Sequence, residues 1–467
     1  MTNLVSNMSK HSMFYHILPR KSLFVFLLAI FTLATANNQI VFAGTTVTPG
    51  IIRKLDVTPP SGGYYEMPFF MTTFNNSRVI NVPTAWTFTC NLTANPLTTS
   101  INSSNSSCLL TNKSLVHQQD QSVTAPYARN YVGTFTNHYI DVGGTQRRYS
   151  VNHGENKNEK IAGVPYQNTV NPDVDVATCA SELSNGTYRD CGSAYHSFVS
   201  LSYGDTYPQT DLGPVIWPDH GYYQPHPNNP SIRWTHSFVR HPHGIVSDGY
   251  LYIYYHEQSV YNESLGLKVA RAPINNLTPS AFKKYSEGSW VPALPSGFDK
   301  NRVADFYNQQ TSVSSPIIPR SAGVEHISLA LTKTESGSFL GIEEAIVNNQ
   351  WTLRLYSTTD MVNFALLGTV AQESSYGLGK LHYPVFLNAA GDNSSLVDTD
   401  NFYVIGSSDK GEISALPLSV TNLTPSKPGD LNQDDAVNLL DFNLLITNFG
   451  NPYTILDFNS IISNFGK

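Results

Sequence analysis

The stretch GIVSDGYLYIYYHEQ, residues 244–258, decides the fold class. Ser247-Asp248-Gly249 is typical of a hairpin turn, because Gly adopts the positive φ that such turns require. Asp248 is therefore interpreted as a turn residue and not as a catalytic carboxylate. The run at 250–257 alternates as a strand does, and Tyr and Ile favour that conformation. The segment predicts a β-hairpin.

The same order of strand, turn and strand recurs along the chain. The copies are NHYIDVGGTQRRYSVNHGEN (137–156), SFLGIEEAIVNNQWTLRLYSTTDMVNF (338–364), LHYPVFLNAAGDNSSLVDTDNFYVIGSS (381–408) and GGYYEMPFFMTTFNNSRVINVPTAWTFTC (62–90). About five units of roughly 75 residues favour a β-propeller. The prediction is a mainly β protein whose body, 44–422, is a five-bladed β-propeller. Two stacked β-domains are the alternative.

The N-terminal segment, 1–43, is predicted to be a signal peptide. Lys10, Arg20 and Lys21 precede the apolar run SLFVFLLAIFTLATA, which ends in small residues. Cleavage after Ala36 or Ala43 fits this pattern. An uncleaved anchor is the alternative, although the run is shorter than the roughly 20 residues of a spanning helix. We expect a secreted or cell-surface protein with no transmembrane helix after cleavage.

Composition and cysteine count restrict the possible partners. Charged residues make up 13% of the chain and the formal net charge is −7, which argues against nucleic acid. Export permits disulfides, and the four cysteines form two local pairs. Joining Cys90 to Cys108 and Cys179 to Cys191 is the favoured connectivity of the three possible.

The C-terminal segment carries a calcium-loop pattern. A linker, 423–429, leads into GDLNQDDAVNLLDFNLLITNFG, and oxygen ligands occupy loop positions 1, 3, 5, 7 and 12. These residues are Asp430, Asn432, Asp434, Ala436 (through its carbonyl) and Asp441, a set that suits Ca²⁺. An acidic turn before an ordinary helical hairpin is the alternative.

Residues 430–467 resemble a dockerin, a small helical calcium-loop module. Asp435 stands where Gly is usual, and the second repeat, YTILDFNSIISNFG, lacks a ligand-rich loop. The resemblance implies one calcium ion and a cohesin-type scaffold protein as partner. The two repeated phrases are predicted to be helices packed through apolar faces. Those faces comprise Leu440, Phe442, Leu445, Ile446 and Phe449 against Leu456, Phe458, Ile461, Ile462 and Phe465.

The body resembles the five-bladed glycosidases of the arabinanase, levansucrase and invertase superfamily, which are similar to glycoside hydrolase family 43. The phrases DGYLYIYYHE, LKVARAP and LYSTTDMVNF carry this resemblance, with Phe364 where Trp is commoner. It implies a polysaccharide or oligosaccharide substrate and acid/base cleavage by paired carboxylates.

Catalytic carboxylates are sought on inner strands of different units. The candidates are Glu66, Asp141, Glu155, Glu325 and Glu343. Glu155 is preferred because it ends a strand in a His-Gly-Glu phrase, where Gly154 leaves room for a substrate. Glu325 is its predicted partner. A salt-bridged glutamate is the alternative at both positions.

Histidines supply the remaining site prediction. His241 and His243 in HPHG share one face of a strand, and His382 begins another unit. We predict that His243 and His382 bind substrate, and that a second metal ion lies at the propeller axis. Hydrogen-bonded core histidines are the alternative. Two other functions stay open: a non-catalytic carbohydrate-binding propeller, and an adhesive surface protein with a Ser/Asn/Thr-rich insert at 91–114.

Overall fold

The computed structural model describes most residues between 45 and 466. The longer gaps are 56–69, 99–105, 114–130, 158–168, 171–194, 260–265, 374–379, 408–412, 424–428, 432–436 and 450–454. The chain divides into Met1–Ala43 and Gly44–Lys467. The predicted signal peptide is the first unit and lies outside the described residues.

Four antiparallel sheets, here called blades 1 to 4, form the body. Blade 1 runs outward through β7 (Tyr131–Val142), β8 (Thr145–Lys157), β10 (Tyr195–Tyr203) and β11 (Thr210–Ile216). Blade 2 runs through β14 (Ser237–Ser247), β15 (Tyr250–Ser259), β16 (Leu267–Pro273), β17 (Lys283–Ser286) and β18 (Ser289–Pro292). A 3-10 turn, Pro279–Ala281, precedes β17.

Blades 3 and 4 continue the order. Blade 3 contains β19 (Val324–Lys333), β20 (Phe339–Val347), β21 (Gln350–Thr358) and β22 (Ala365–Gln372). Blade 4 contains β23 (His382–Asn388), β24 (Phe402–Ser407) and β25 (Ile413–Thr421), and it is completed by β1 (Thr46–Pro49) and β2 (Arg53–Lys54). The first strands β7, β14, β19 and β23 contact one another in sequence. The arrangement is therefore propeller-like, and an N-terminal strand finishes the last blade.

The prediction of five blades differs from the structure, in which the described residues form four. A further four-stranded sheet precedes them, formed by β3 (Phe70–Phe74), β4 (Ser77–Pro83), β5 (Trp86–Leu92) and β6 (Ser106–Lys113). Its β3 contacts β7, but its side chains lie outside the described residues. A small sheet pairs β12 (Tyr223–His226) with β13 (Asn229–Thr235) and β9 (Thr169–Val170). A sequence repeat identifies a hairpin, but a hairpin becomes part of a blade only when its faces pack against neighbouring sheets. The number of repeats therefore did not give the number of blades.

The hydrophobic core lies between successive blades. Along β15, Ile253 and Tyr255 pack against blade 1, whereas Tyr252 and Tyr254 pack against blade 3. Alternate side chains of a strand point to opposite faces, so a strand with a blade on both sides is apolar throughout. This explains why the run at 250–257 is unusually rich in aromatic residues.

Three tight hairpin turns confirm the sequence-based turn assignments. Asp248 and Gly249 join β14 to β15 with φ of 50° and 77°. Gly143-Gly144 and Asn348-Asn349 likewise have positive φ at both positions. Such turns match the right-handed twist of paired strands. The Asn-Asn turn, however, joins the second and third strands of blade 3, whereas the other two turns join the first and second strands of their blades. The predicted repeat in blade 3 is therefore shifted by one strand.

The C-terminal segment contains the two predicted helices, α1 (Leu439–Thr447) and α2 (Ile455–Asn464). Val437, Leu445 and Ile461 are buried between them, and Phe442 stacks near Phe458. The predicted packing face is too broad, since two short helices bury only a narrow stripe. The more than half-exposed members of that face are Leu440, Ile446, Phe449, Ile462 and Phe465. No helix among the described residues has the length and apolarity to cross a membrane.

Candidate functional site

Each innermost strand of the four blades carries a one-residue bulge. The bulges fall at Phe135 in β7, His241 in β14, Ile327 in β19 and Tyr383 in β23. A bulge turns a side chain away from the regular alternation. His241 and Tyr383 also have positive φ, 49° and 53°, and each precedes a proline. Neighbouring blades therefore present irregular residues to one another at a common level.

Aromatic and imidazole rings gather at this level in an axial cluster of Phe135, His153, His241, His382 and Tyr383. Tyr383 is central, with its ring centroid 5.6 Å from Phe135 and 5.3 Å from His241. His241 lies 6.2 Å from His153, and His382 lies 6.2 Å from Tyr383. Rings of this kind offer apolar faces together with a few hydrogen-bonding atoms, as in many ligand sites.

His241 has a fixed tautomer. Its Nδ1 lies 2.9 Å from the carbonyl oxygen of Ile327, and a carbonyl only accepts, so Nδ1 carries the proton. Burial, with smaller contributions from His153 and Arg240, lowers the pKa of His241 to about 4. The neutral ring thus carries its lone pair on Nε2 near neutral pH.

Glu344 holds the opposite side of the cluster. Its carboxylate accepts from His382 Nδ1 at 2.7 Å, Trp351 Nε1 at 3.0 Å and the backbone N–H of Tyr383 at 2.9 Å. Glu344 is fully buried, whereas the His382 side chain is 29% exposed. A carboxylate that binds one imidazole nitrogen orients the ring and its tautomer. Glu344 of blade 3 therefore positions two residues of blade 4.

Glu343, one of the candidate catalytic carboxylates, has a structural environment. It is fully buried and accepts from His326 Nδ1, Arg354 Nε and Tyr356 Oη, the last two at 2.7 and 2.8 Å. Burial and the Glu343 carboxylate raise the pKa of Tyr356 well above 10. A carboxylate surrounded by donors in this way stabilises the blade and is poorly placed to exchange protons with a substrate.

The two predicted catalytic residues are not brought together among the described side chains. Glu325 is exposed at the start of β19, opposite Ile346 of β20. Glu155 lies in β8, opposite Tyr131 and Ser197 and two residues after His153, but its side chain lies outside the described residues. The space expected at Gly154 is filled, because a Cβ there would lie 2.3 Å from the ring of Phe198.

The remaining carboxylate candidates separate into turn residues and residues outside the described part. Asp141 is exposed and accepts from Gly144 N at 2.7 Å in the hairpin turn. Asp248 is an exposed turn residue, as predicted. Glu66 lies outside the described residues.

His243 lies below the axial cluster, against blade 1. It is 6% exposed, and burial together with His138 lowers its pKa to about 3. His138 Nε2 lies 3.1 Å from Thr136 Oγ, which accepts from Gly244 N at the same distance. The predicted substrate contact of His243 thus falls on a buried residue, whereas its neighbour His241 lies in the cluster.

The predicted metal ligands are only partly among the described residues. Among the described residues no group of three or more His, Cys, Asp or Glu side chains is arranged to hold a metal ion. In the C-terminal loop the Asp441 carboxylate is buried and accepts from Leu431 N at 2.6 Å and Asn438 N at 2.8 Å. These two hydrogen bonds close the loop at its last predicted ligand. Asp430, Asn432, Asp434 and Ala436 lie outside the described residues.

Of the two predicted cysteine pairs, only the first lies on strands that the structure describes. Cys90 and Cys108 face each other directly across β5 and β6, a register compatible with a disulfide. Their side chains, and all of Cys179 and Cys191, lie outside the described residues, so both bonds stay predictions.

Sequence reasoning missed Phe135, Tyr383 and the role of Glu344. One local signal was available for Tyr383. His241-Pro242 and Tyr383-Pro384 stand near the same point of two inner strands, and proline within a strand marks a bulge or an edge. Glu344 has no such signal, since its partners lie 7 to 39 residues away.

Comparisons with protein-family models and with curated proteins gave no match. Among solved structures, the chain is similar to a family 117 glycoside hydrolase of Zobellia galactanivorans (13% identity, 82% of this chain and 91% of that chain, TM-score 0.38). It is also similar to an α-L-arabinofuranosidase of Podospora anserina (8%, 82% and 99%, 0.37) and an endo-arabinase of Bacteroides thetaiotaomicron (9%, 78% and 96%, 0.39). At such identities and TM-scores these similarities do not establish the activity of this chain.

Proposed function

We propose that the protein is an exported glycoside hydrolase that acts on a polysaccharide or oligosaccharide at the axial cluster. The observation that carries this proposal is the convergence of bulged, ring-bearing residues from successive blades. Tyr383, which packs on the buried Phe135, supplies apolar surface, and His241 and His382 supply oriented hydrogen-bonding nitrogens. Sugars combine apolar C–H faces with hydroxyl groups, so this combination suits them.

In this proposal Glu155 supplies a carboxyl group for acid/base cleavage. It follows His153 of the axial cluster by two residues along β8. The exposed Glu325 is the weaker choice for the second carboxyl group. His382, partly exposed and oriented by Glu344, is a group of the axial cluster able to move a proton.

Tethering is the second part of the proposal. Residues 430–467 are proposed to bind one calcium ion through the loop that Asp441 closes, and to dock on a cohesin-type scaffold. The closed loop and the helix pair α1–α2 support this assignment.

Reducing-end release from a panel of polysaccharides tests the activity. We expect the mature protein, with calcium, to release reducing ends from at least one polymer. Glu155→Gln should lower the rate about 10²–10⁴-fold, the usual contribution of a general acid or base. Asp248→Asn, which changes a turn carboxylate that tolerates Asn, should leave the rate unchanged.

A non-catalytic glycan-binding function is the second candidate. It is favoured by the state of Glu343 and Glu344, which are buried and already bonded to protein donors. Absence of released ends, together with retention on one polymer in a pull-down, would replace the hydrolase with this function. Release that survives Glu155→Gln would keep the enzyme and reject the site.

A further inference from the structure

Arg271 forms a stacked cluster on blade 2, away from the axial cluster. Its guanidinium carbon lies 4.3 Å from the ring centroid of Tyr250 and 3.9 Å from that of Trp290. One of its N–H groups donates to Tyr252 Oη at 3.1 Å. Tyr285 packs on Trp290 with ring centroids 5.5 Å apart. The guanidinium of Arg271 is therefore held in place by two aromatic rings and one hydrogen bond.

The guanidinium of Arg271 and the ammonium of Lys283 bring two positive charges together on blade 2. Across the residues that the structure describes, neither Arg271 nor Lys283 forms an ion pair. Lys283 is exposed and stands directly opposite Arg271 on the neighbouring strand β17. Like charges directly opposite each other destabilise a sheet, and a bound anion would relieve that repulsion. The cluster is all the more unusual in a chain with a formal net charge of −7.

Geometry restricts how an anion approaches Arg271. The rings of Tyr250 and Trp290 cover the guanidinium at 4.3 and 3.9 Å, so an anion reaches the N–H donors that Tyr252 does not use from the side that the rings leave open. Edge-on approach is the geometry in which guanidinium binds a carboxylate through two parallel hydrogen bonds. The partly exposed aromatic rings provide surface for a sugar ring beside the carboxylate.

We infer that Tyr250, Arg271, Lys283 and Trp290 form a second glycan-binding site that takes a carboxylate-bearing sugar, such as a uronic acid unit of a polysaccharide. The choice of a sugar as the carrier of the carboxylate rests on the proposed function. The site lies on the second to fifth strands of blade 2, apart from the strands that carry the axial cluster, and performs no chemistry. It holds an acidic polymer on blade 2.

Calorimetric titration of the full chain with trigalacturonate tests this site, with neutral galactotriose and inorganic sulfate titrated in parallel. We expect trigalacturonate to bind and galactotriose to bind at least tenfold more weakly. Arg271→Gln should weaken trigalacturonate binding tenfold or more, because charge-assisted hydrogen bonds are lost. Arg271→Lys should also weaken it, since Lys cannot bind bidentately.

Two further variants separate binding from folding. Lys283→Gln changes an exposed residue and should weaken trigalacturonate binding a few-fold with an unchanged melting temperature. Arg147→Gln is the matched control, because Arg147 lies over a single ring, Tyr203, at 5.5 Å. It should bind as the parent chain does.

Three results would overturn the inference: no binding of trigalacturonate, undiminished binding by both Arg271→Gln and Lys283→Gln, or equal binding of sulfate and trigalacturonate. None of them depends on hydrolysis. A chain that releases no reducing ends yet binds trigalacturonate through Arg271 would reject the hydrolase and keep this site.

Discussion

Lys284 is one of the fully buried charged residues in the described part of the chain. Its ammonium is fully buried, bonded to Asp219 and to the carbonyl of Trp217, while Lys268 bonds both Asp219 and Glu257. Burial lowers the pKa of Lys284, and the neighbouring carboxylates oppose that shift. Two positive and two negative groups thus compensate one another where Asp219, from the segment after β11, meets the strands of blade 2.

Lys284→Met should strongly destabilise the protein. It leaves the buried Asp219 and Glu257 carboxylates with one cation, and breaking such a network costs about 3–5 kcal/mol. Chemical denaturation measures this as a drop in the free energy of unfolding. The control is Lys300→Met, whose pair with Asp211 is 3.6 Å long and 37% exposed at the lysine, so its loss should cost less than about 1 kcal/mol. Equal effects of the two substitutions would contradict this account.

Among the elements, the hairpins were predictable from sequence and the bulges were not. Asp248-Gly249 and Gly143-Gly144 form turns for local reasons, since each pair adopts positive φ by itself. The bulge at Tyr383 depends on Glu344, which is distant in sequence and reaches it only once blades 3 and 4 pack. Three of the five residues of the axial cluster, Phe135, His241 and Tyr383, stand at such bulges, so the sequence predicted only the histidines of the cluster.

The turn between β21 and β22 acts as a contact between blades 2 and 3. Asp360 Oδ1 accepts from Val362 N and Asn363 N, at 3.0 and 2.8 Å, and the carbonyl of Met361 accepts from Tyr254 Oη at 3.0 Å. Phe364 then places its ring 6.0 Å from that of Tyr254. The segment LYSTTDMVNF therefore has a structural role, because Phe364 packs between blades 2 and 3.

Phe364→Ala should destabilise the protein by about 2 kcal/mol, less than a fully buried Phe because the ring is partly exposed. The loss falls on the contact with Tyr254, so near-ultraviolet circular dichroism should change together with the melting temperature. Leu366→Ala, two residues along and 41% exposed, should change the free energy of unfolding by less than about 0.5 kcal/mol. A larger effect of Leu366→Ala than of Phe364→Ala would show that Phe364 is not the main contact between blades 2 and 3.

For the whole molecule, the histidines of the inner strands link stability to pH. Burial lowers the pKa of His138 and His241 from 6.5 to about 4, and that of His243 to about 3. Arg240 and His153 lower the His241 value further, whereas Glu344 opposes them. These three rings come from blades 1 and 2, where adjacent inner strands bring them together.

The sign follows from proton binding in the two states. Above pH 6.5 neither state binds a proton at these rings, so they leave the free energy of unfolding unchanged. Between pH 6.5 and about 4 the unfolded chain is protonated and the folded chain is not, so stability falls as pH falls. The slope is at most about 1.4 kcal/mol per pH unit for each ring.

Melting temperatures measured from pH 8 to pH 4 should therefore be level above pH 7 and decline below pH 6.5. His138→Asn removes one of the three titrating rings and should make that decline about one third shallower. A parent chain that gains stability between pH 6.5 and 4 would refute the assignment. A His138→Asn profile parallel to that of the parent would show that His138 is protonated equally in both states, and that its contact with Thr136 tolerates the charged ring.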